Sequence, residues 1–169
     1  MPTSKRAGVS SIILGIDPGY ADTGYGVVGV TNGTLSYVTC GTITTSAKQP
    51  FPQRLRILSD RLDELIRTYH PTLIAVEKLF FFKNLKTAID VAQARGVVLV
   101  QTAQHDIPLA EYTPLEVKQS ITSYGQATKH QVAHMVSVLL NTKIVQVKDD
   151  ALDALAIAIC ASFRSKIRQ

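Results

Sequence analysis

The chain has no tryptophan, only two cysteines and two methionines, and its aromatic residues make up just 7% of 169 positions. Cys40 and Cys160 are a single pair, far apart and without metal-ligand spacing. A disulfide framework and a cysteine-bound zinc centre are therefore excluded, and two buried free thiols are expected. Long apolar runs are missing as well. The longest, Ala154 to Ala161, falls far short of the roughly 20 residues of a membrane-spanning helix. Lys5 and Arg6 near the start are followed by no apolar leader segment, so a cytoplasmic location is expected. What is present is a composition 46% hydrophobic and 18% charged, suited to one packed domain. That domain is expected over residues 12–165, behind a flexible segment at 1–11.

The net charge of +5 is unevenly placed. Residues 78–148 carry eight bases against four acids, whereas 1–77 and 149–169 are close to neutral. A basic middle fits a polyanionic partner, because neutralised phosphates release counterions. A solubilising positive surface has the same composition, so motifs must decide.

Periodicity orders the elements. Ser11 to Ile16 is an apolar strand run, and Tyr25 to Val30 and Leu35 to Ile43 flank Asn32-Gly33, a strong hairpin signal. Pro52 to Tyr69 repeats leucine and isoleucine at helical spacing, and Leu73 to Val76 is a short buried strand. Asn84 to His105 reads as a long helix with apolar residues on more than one side, a hint of a partner, and Leu109 to Tyr112 as a fifth strand. Thr113 with Glu116, and Thr128 with Gln131, form capping boxes that start helices near 114 and 129. A last helix begins near Asp149 and becomes hydrophobic all round, a mark of burial. The order predicts an α/β layered domain with a mixed five-stranded sheet flanked by helices.

Four acids fall where such a sheet builds sites. Asp17 and Glu77 end the first and fourth strands, and functional groups gather beyond carboxyl ends of strands. Asp150 and Asp153, three apart, share a face in the first turn of the last helix. Four carboxylates around one point can hold two divalent ions, and hard oxygen donors suit Mg²⁺. Each acid also has a plainer reading: Asp17 as a turn residue before Pro18-Gly19, Glu77 as a salt-bridged strand end, Asp150 as a complement to the helix dipole. Asp153 stands where the helix begins to bury itself, and a buried charge needs a metal or a partner. Asp149, four residues before Asp153, shares its face, so spacing alone leaves Asp149 open.

Other patterns fail on context. Gly24-Tyr25-Gly26-Val27-Val28-Gly29 satisfies G-x-G-x-x-G but leads into a hairpin where a dinucleotide site needs a helix. His130 and His134 stand four apart like zinc ligands, but without the glutamate or third ligand of a metalloprotease they read as surface or core residues. An actin-like ATPase, suggested by Asp17-Pro18-Gly19, needs roughly twice this length.

Taken in order, Gly15-Ile16-Asp17-Pro18-Gly19 with Thr23-Gly24-Tyr25-Gly26-Val27, then Val76-Glu77 with the Phe-rich stretch after it, resemble the first two motifs of the RuvC family of resolvases. Gln93-Ala94-Arg95-Gly96 and Asp150-Ala151-Leu152-Asp153-Ala154-Leu155-Ala156 are similar to its later signatures, and the last selects Asp150 over Asp149. The resemblance spans about residues 12–162. It implies a ribonuclease H-like fold and a homodimer that resolves four-way DNA junctions in recombination and repair. Asp17, Glu77, Asp150 and Asp153 would be the catalytic metal ligands, with Asp17 bridging two Mg²⁺ ions that Mn²⁺ replaces. It further implies phosphate contacts from Lys118 and Lys129, a base-stacking role for Phe80, and the branch-migration proteins RuvA and RuvB as partners. Another ribonuclease H-like nuclease, or a junction-binding protein that does not cut, are the alternatives. Mg²⁺-dependent cleavage and substrate choice separate them.

Overall fold

The computed structural model describes residues 11–78, 85–144 and 147–165. Apart from Ser11, the segment expected to be flexible lies outside the described residues, as does Phe80. Five strands and five helices follow one another: β1 (Ser11–Asp17), β2 (Asp22–Thr31), β3 (Thr34–Thr44), α1 (Phe51–Tyr69), β4 (Leu73–Glu77), α2 (Leu85–Gln104), β5 (Leu109–Tyr112), α3 (Pro114–Thr122), α4 (Lys129–Leu139) and α5 (Asp149–Ser165). The sheet runs β3-β2-β1-β4-β5. Its first three strands are antiparallel, and β4 and β5 join β1 in parallel. The mixed sheet expected from sequence is the one observed.

Local chemistry explains the elements. Asn32 and Gly33 both adopt positive φ, 49° and 84°, as a tight right-twisted hairpin requires. Thr113 and Thr128 accept the backbone N–H groups of Glu116 and Gln131, whose side chains accept back from the cap backbones, which fixes where α3 and α4 begin.

Strand alternation sorts the residues into two cores. Leu14, Ile16, Val27, Ile74 and Val76 pack with α1 and α2. Ile13, Val28 and Ala75 face the other way, against α3, α4 and α5. Residues two apart share a face, so Asp17 follows Ile13 and Gly15 toward α5, and Glu77 follows Ala75. The pleat thus aims both strand-end acids at the helix that carries the other two. In α5 every residue from Ala154 to Ala161 is buried.

One expectation is corrected. Cys160 is buried, its Sγ 3.2 Å from the Ser120 hydroxyl, but Cys40 is only half-buried. It lies on β3, which has a neighbour on one side alone.

Candidate active site

Three glycines set how closely α5 approaches the sheet. A Cβ on Gly15 would fall 2.1 Å from the Ala154 carbonyl oxygen, one on Gly24 1.9 Å from that of Asp150, and one on Gly26 2.7 Å from the Leu155 nitrogen. Helix backbone therefore rests on strand backbone. Gly24 is also the residue paired with Asp17 across β1 and β2, so the contact that seats Asp150 lies beside Asp17. The G-x-G pattern rejected as a nucleotide loop is instead part of this packing seam.

Burial and mutual repulsion act together on the acids. Burial pushes the Asp17 carboxyl up to about 8, and the negative charges of Glu77, Asp153 and Asp150 add to the effect while Lys129 opposes it. Glu77 is pushed up to about 7 by burial and then by Asp153, with Lys129 and Lys118 pulling it down. Asp150 is raised as well, through burial first and then Asp22 and Asp153. The structure thus brings Asp17, Glu77, Asp150 and Asp153 into one electrostatic cluster, with Lys118 and Lys129 at its border. Asp153 is less enclosed than its sequence context suggests, its side chain remaining 33% exposed. It faces the cleft at the start of α5, where water and Lys129 reach it. Among the described residues no three acid, thiol or imidazole groups form a finished ion cage.

Lys129 stands at the first position of α4, with its Nζ 3.4 Å from Asp153 and 3.7 Å from Asp149. Asp153 is the main reason that its ammonium is held more firmly charged than usual. A cleft of about 270 Å³ between α4 and α5 is lined by Lys129, Asp149 and Asp153 among others. Asp149 itself points outward, its side chain 75% exposed. His130 and His134 are exposed on α4.

Sequence reasoning missed a clasp at the rim. The Asp22 carboxylate accepts from Lys148 at 2.9 Å and Thr44 at 2.5 Å, joining the residue before α5 to the starts of β2 and the end of β3. These bonds, with the Lys148 charge, hold Asp22 below the usual carboxylate range. Nothing in a lone Asp after a turn signals a partner 126 residues away.

A mixed five-stranded sheet with acids gathered at the ends of β1 and β4 and at the start of a packed helix defines an α/β, ribonuclease H-like fold. The model of the crossover junction endodeoxyribonuclease RuvC family matches residues 13–161. The RuvC of Thermosipho melanesiensis is 46% identical over 154 residues, 91% of this chain and 98% of that protein. The Roseiflexus RuvC is 49% identical over 150 residues, 89% of each. Among solved structures, Thermus thermophilus RuvC in complex with a Holliday junction substrate superposes with a TM-score of 0.88 at 32% identity, covering 94% of this chain and 96% of that one. The yeast mitochondrial resolvase Ydc2 shares the fold, with a TM-score of 0.67 at 15% identity over 95% of this chain and 82% of that one. The chain belongs to the RuvC family and is a hydrolase of the endodeoxyribonuclease class.

Proposed function

We propose that this protein resolves Holliday junctions by paired, symmetric hydrolysis of phosphodiester bonds during DNA recombination and repair. The observation that carries the reading is the convergence of Asp17, Glu77, Asp150 and Asp153 from two parallel strands and one helix, the first three raised by burial first and then by the charges of neighbouring acids.

The donor set fits divalent cations. Four hard carboxylate oxygen donors, two of them pushed to about 8 and 7 by shared burial and repulsion, are relieved by a bound positive charge. We assign Asp17, Glu77, Asp150 and Asp153 as the residues that would hold two Mg²⁺ ions, with Mn²⁺ as a substitute. When bound, such a pair activates water and stabilises the leaving oxygen of an in-line displacement. The protein's own groups do the rest. Lys118 and Lys129 hold phosphates at the rim, and Lys129 begins a capped helix whose N-terminus favours anions. Phe80, which follows β4 closely in sequence, stacks on a base at the opened crossover. In the reaction, water adds to phosphorus while the bond to the 3′ oxygen breaks, and that oxygen takes up a proton.

Two active sites match two opposed strands, so the working unit is a homodimer. Ile89 and Val100, 68% and 55% exposed and three turns apart on α2, supply an apolar face for it. Residues 12–165 form a single nuclease domain, and the protein works in the cytoplasm alongside the RuvA and RuvB branch-migration proteins. Among the described residues no helix is long and apolar enough to cross a membrane. The test is a labelled synthetic four-way junction incubated with and without Mg²⁺, with nicks mapped on each strand. Symmetric nicks on opposing strands, dependent on the cation, are expected. Cleavage of linear duplex at an equal rate overturns the reading.

A further inference from the structure

Arg54 breaks two local rules. It lies in the first turn of α1, where a cation opposes the helix dipole, and that turn has no acidic residue and no side-chain cap. It is nevertheless buried, with 7% of its surface exposed. Among the described residues no carboxylate pairs with it. Its guanidinium is held by neutral groups instead. Nη2 donates to the Tyr20 carbonyl at 2.7 Å, and Nε donates to the Thr45 hydroxyl at 3.0 Å. That hydroxyl donates in turn to the Tyr20 carbonyl at 3.1 Å. The rings of Tyr20 and Phe51 lie 5.3 and 5.7 Å from the guanidinium carbon, within cation–π range.

All of these bonds converge on the turn between Asp17 and β2. The other side of the turn is fixed too: the Thr23 hydroxyl donates to the Gly19 carbonyl at 2.7 Å, and a Cβ on Gly19 would fall 2.0 Å from the Asp22 carbonyl oxygen. The Thr45 N–H bonds to the Ala21 carbonyl at 2.9 Å. The backbone immediately after Asp17 is therefore pinned, and the hub of the pin is a buried cation. Charge-assisted hydrogen bonds are about twice as strong as neutral ones, a reason to use arginine there despite the cost of burying it.

We propose that Arg54 is a positioning residue for the active site: by locking the Pro18–Ala21 turn it fixes the direction in which the Asp17 carboxylate leaves β1. Without that lock the carboxylate, crowded by Glu77, Asp153 and Asp150, turns away from them toward water. The inference rests on the assignment of Asp17 as a metal ligand. It predicts that Arg54 acts on cation affinity and not on DNA affinity, since the residue is buried away from the surface.

The test uses the full chain with Arg54→Met, Arg54→Lys and Thr45→Val. Four quantities are measured: Mn²⁺ binding by calorimetry without DNA, the Mg²⁺ concentration that half-saturates junction cleavage, junction binding in EDTA, and melting. Loss of an orienting partner costs roughly 10- to 100-fold in metal affinity. Arg54→Met is expected to weaken Mn²⁺ binding and raise the Mg²⁺ midpoint by that factor, with junction binding unchanged. Arg54→Lys restores only part, because one ammonium replaces the two-nitrogen fork. Thr45→Val moves the midpoint the same way by less, and decides the matter should Arg54→Met not fold. Folded variants with unchanged Mn²⁺ affinity and Mg²⁺ midpoint overturn the proposal, even if they melt earlier. If Asp17→Asn also leaves Mn²⁺ binding intact, the fault lies in the ligand assignment and not with Arg54.

Discussion

The sharpest perturbation is a single methyl group. In Gly24→Ala the new Cβ would sit 1.9 Å from the Asp150 carbonyl oxygen, and ordinary contact begins near 3.4 Å, so strand and helix must part by about 1.5 Å. Both sides of the clash are backbone, and no flexible side chain can absorb it. Overpacking of this kind costs roughly 1 to 3 kcal/mol. Against a typical domain stability of about 5 to 15 kcal/mol, the protein remains folded at moderate temperature. Asp150, proposed above as a metal ligand, moves with its carbonyl, however, and a misplacement of about 1 Å in such a group costs on the order of 100-fold in rate. Junction cleavage, followed well below the melting transition, should fall by about that factor while melting shifts only modestly. Gly96→Ala is the control. Nothing lies within 4 Å of its added Cβ, and replacing a mid-helix glycine should stabilise α2 by about 0.5 to 1 kcal/mol. A Gly24→Ala protein that cleaves and melts like the parent would refute the close-packing argument.

Asp17→Asn should abolish cleavage yet raise the melting temperature in metal-free buffer. The folded carboxyl titrates near 8 against 3.8 ordinarily, so folding loses stability as pH rises from about 4 to 8. Replacing a carboxyl that must take up a proton on folding should return about 2 kcal/mol at pH 7, below the limit of roughly 4 set by 1.36 kcal/mol per unit, because the Asn amide also loses water. A stabilisation equally large at pH 3.5 would contradict this cause. Asp150→Asn should reduce turnover far more than Asp149→Asn, because the latter side chain projects into solvent, and equal turnover would reverse the assignment. Phe80→Ala should slow cleavage of an intact junction by about 5- to 150-fold, for a stacking loss of roughly 1 to 3 kcal/mol. Near-normal melting and partial rescue by a junction already unpaired at its centre are expected. Early melting without rescue would mean a core residue.

How much of this was legible in the sequence depends on how local the cause is. The two capping boxes and the Asn32-Gly33 turn involve partners within a few residues, and α3, α4 and the hairpin begin where the sequence puts them. The strand-end acids were legible because an apolar run that stops at a carboxylate exposes the strand terminus. β2 begins at Asp22, three residues before the expected Tyr25, because Asp22, Thr23 and Gly24 pair with Thr44, Ile43 and Thr42. Their loop-like chemistry conceals a partner on another strand. Spacing could not separate Asp149 from Asp150, because which of the two backbones rests against Gly24, and which side chain projects into solvent, depends on how the helix is seated on the sheet. Arg54 was invisible for the same reason. A cation in an amphipathic helix reads as a solvated face until the turn it grips is folded beside it.

The seating of α5 also bears on how the enzyme loses function. Its buried stretch, Ala154 to Ala161, lies between the sheet and the α3–α4 pair, so those amides should exchange with solvent only when the whole molecule opens. Two of the four acids are borne by an element that cannot loosen alone, unlike sites carried on loops. Damage elsewhere in the core should therefore leave each folded molecule fully active and reduce only how many are folded. Substitutions along the glycine seam should do the reverse, giving a full complement of folded molecules with their acids out of register.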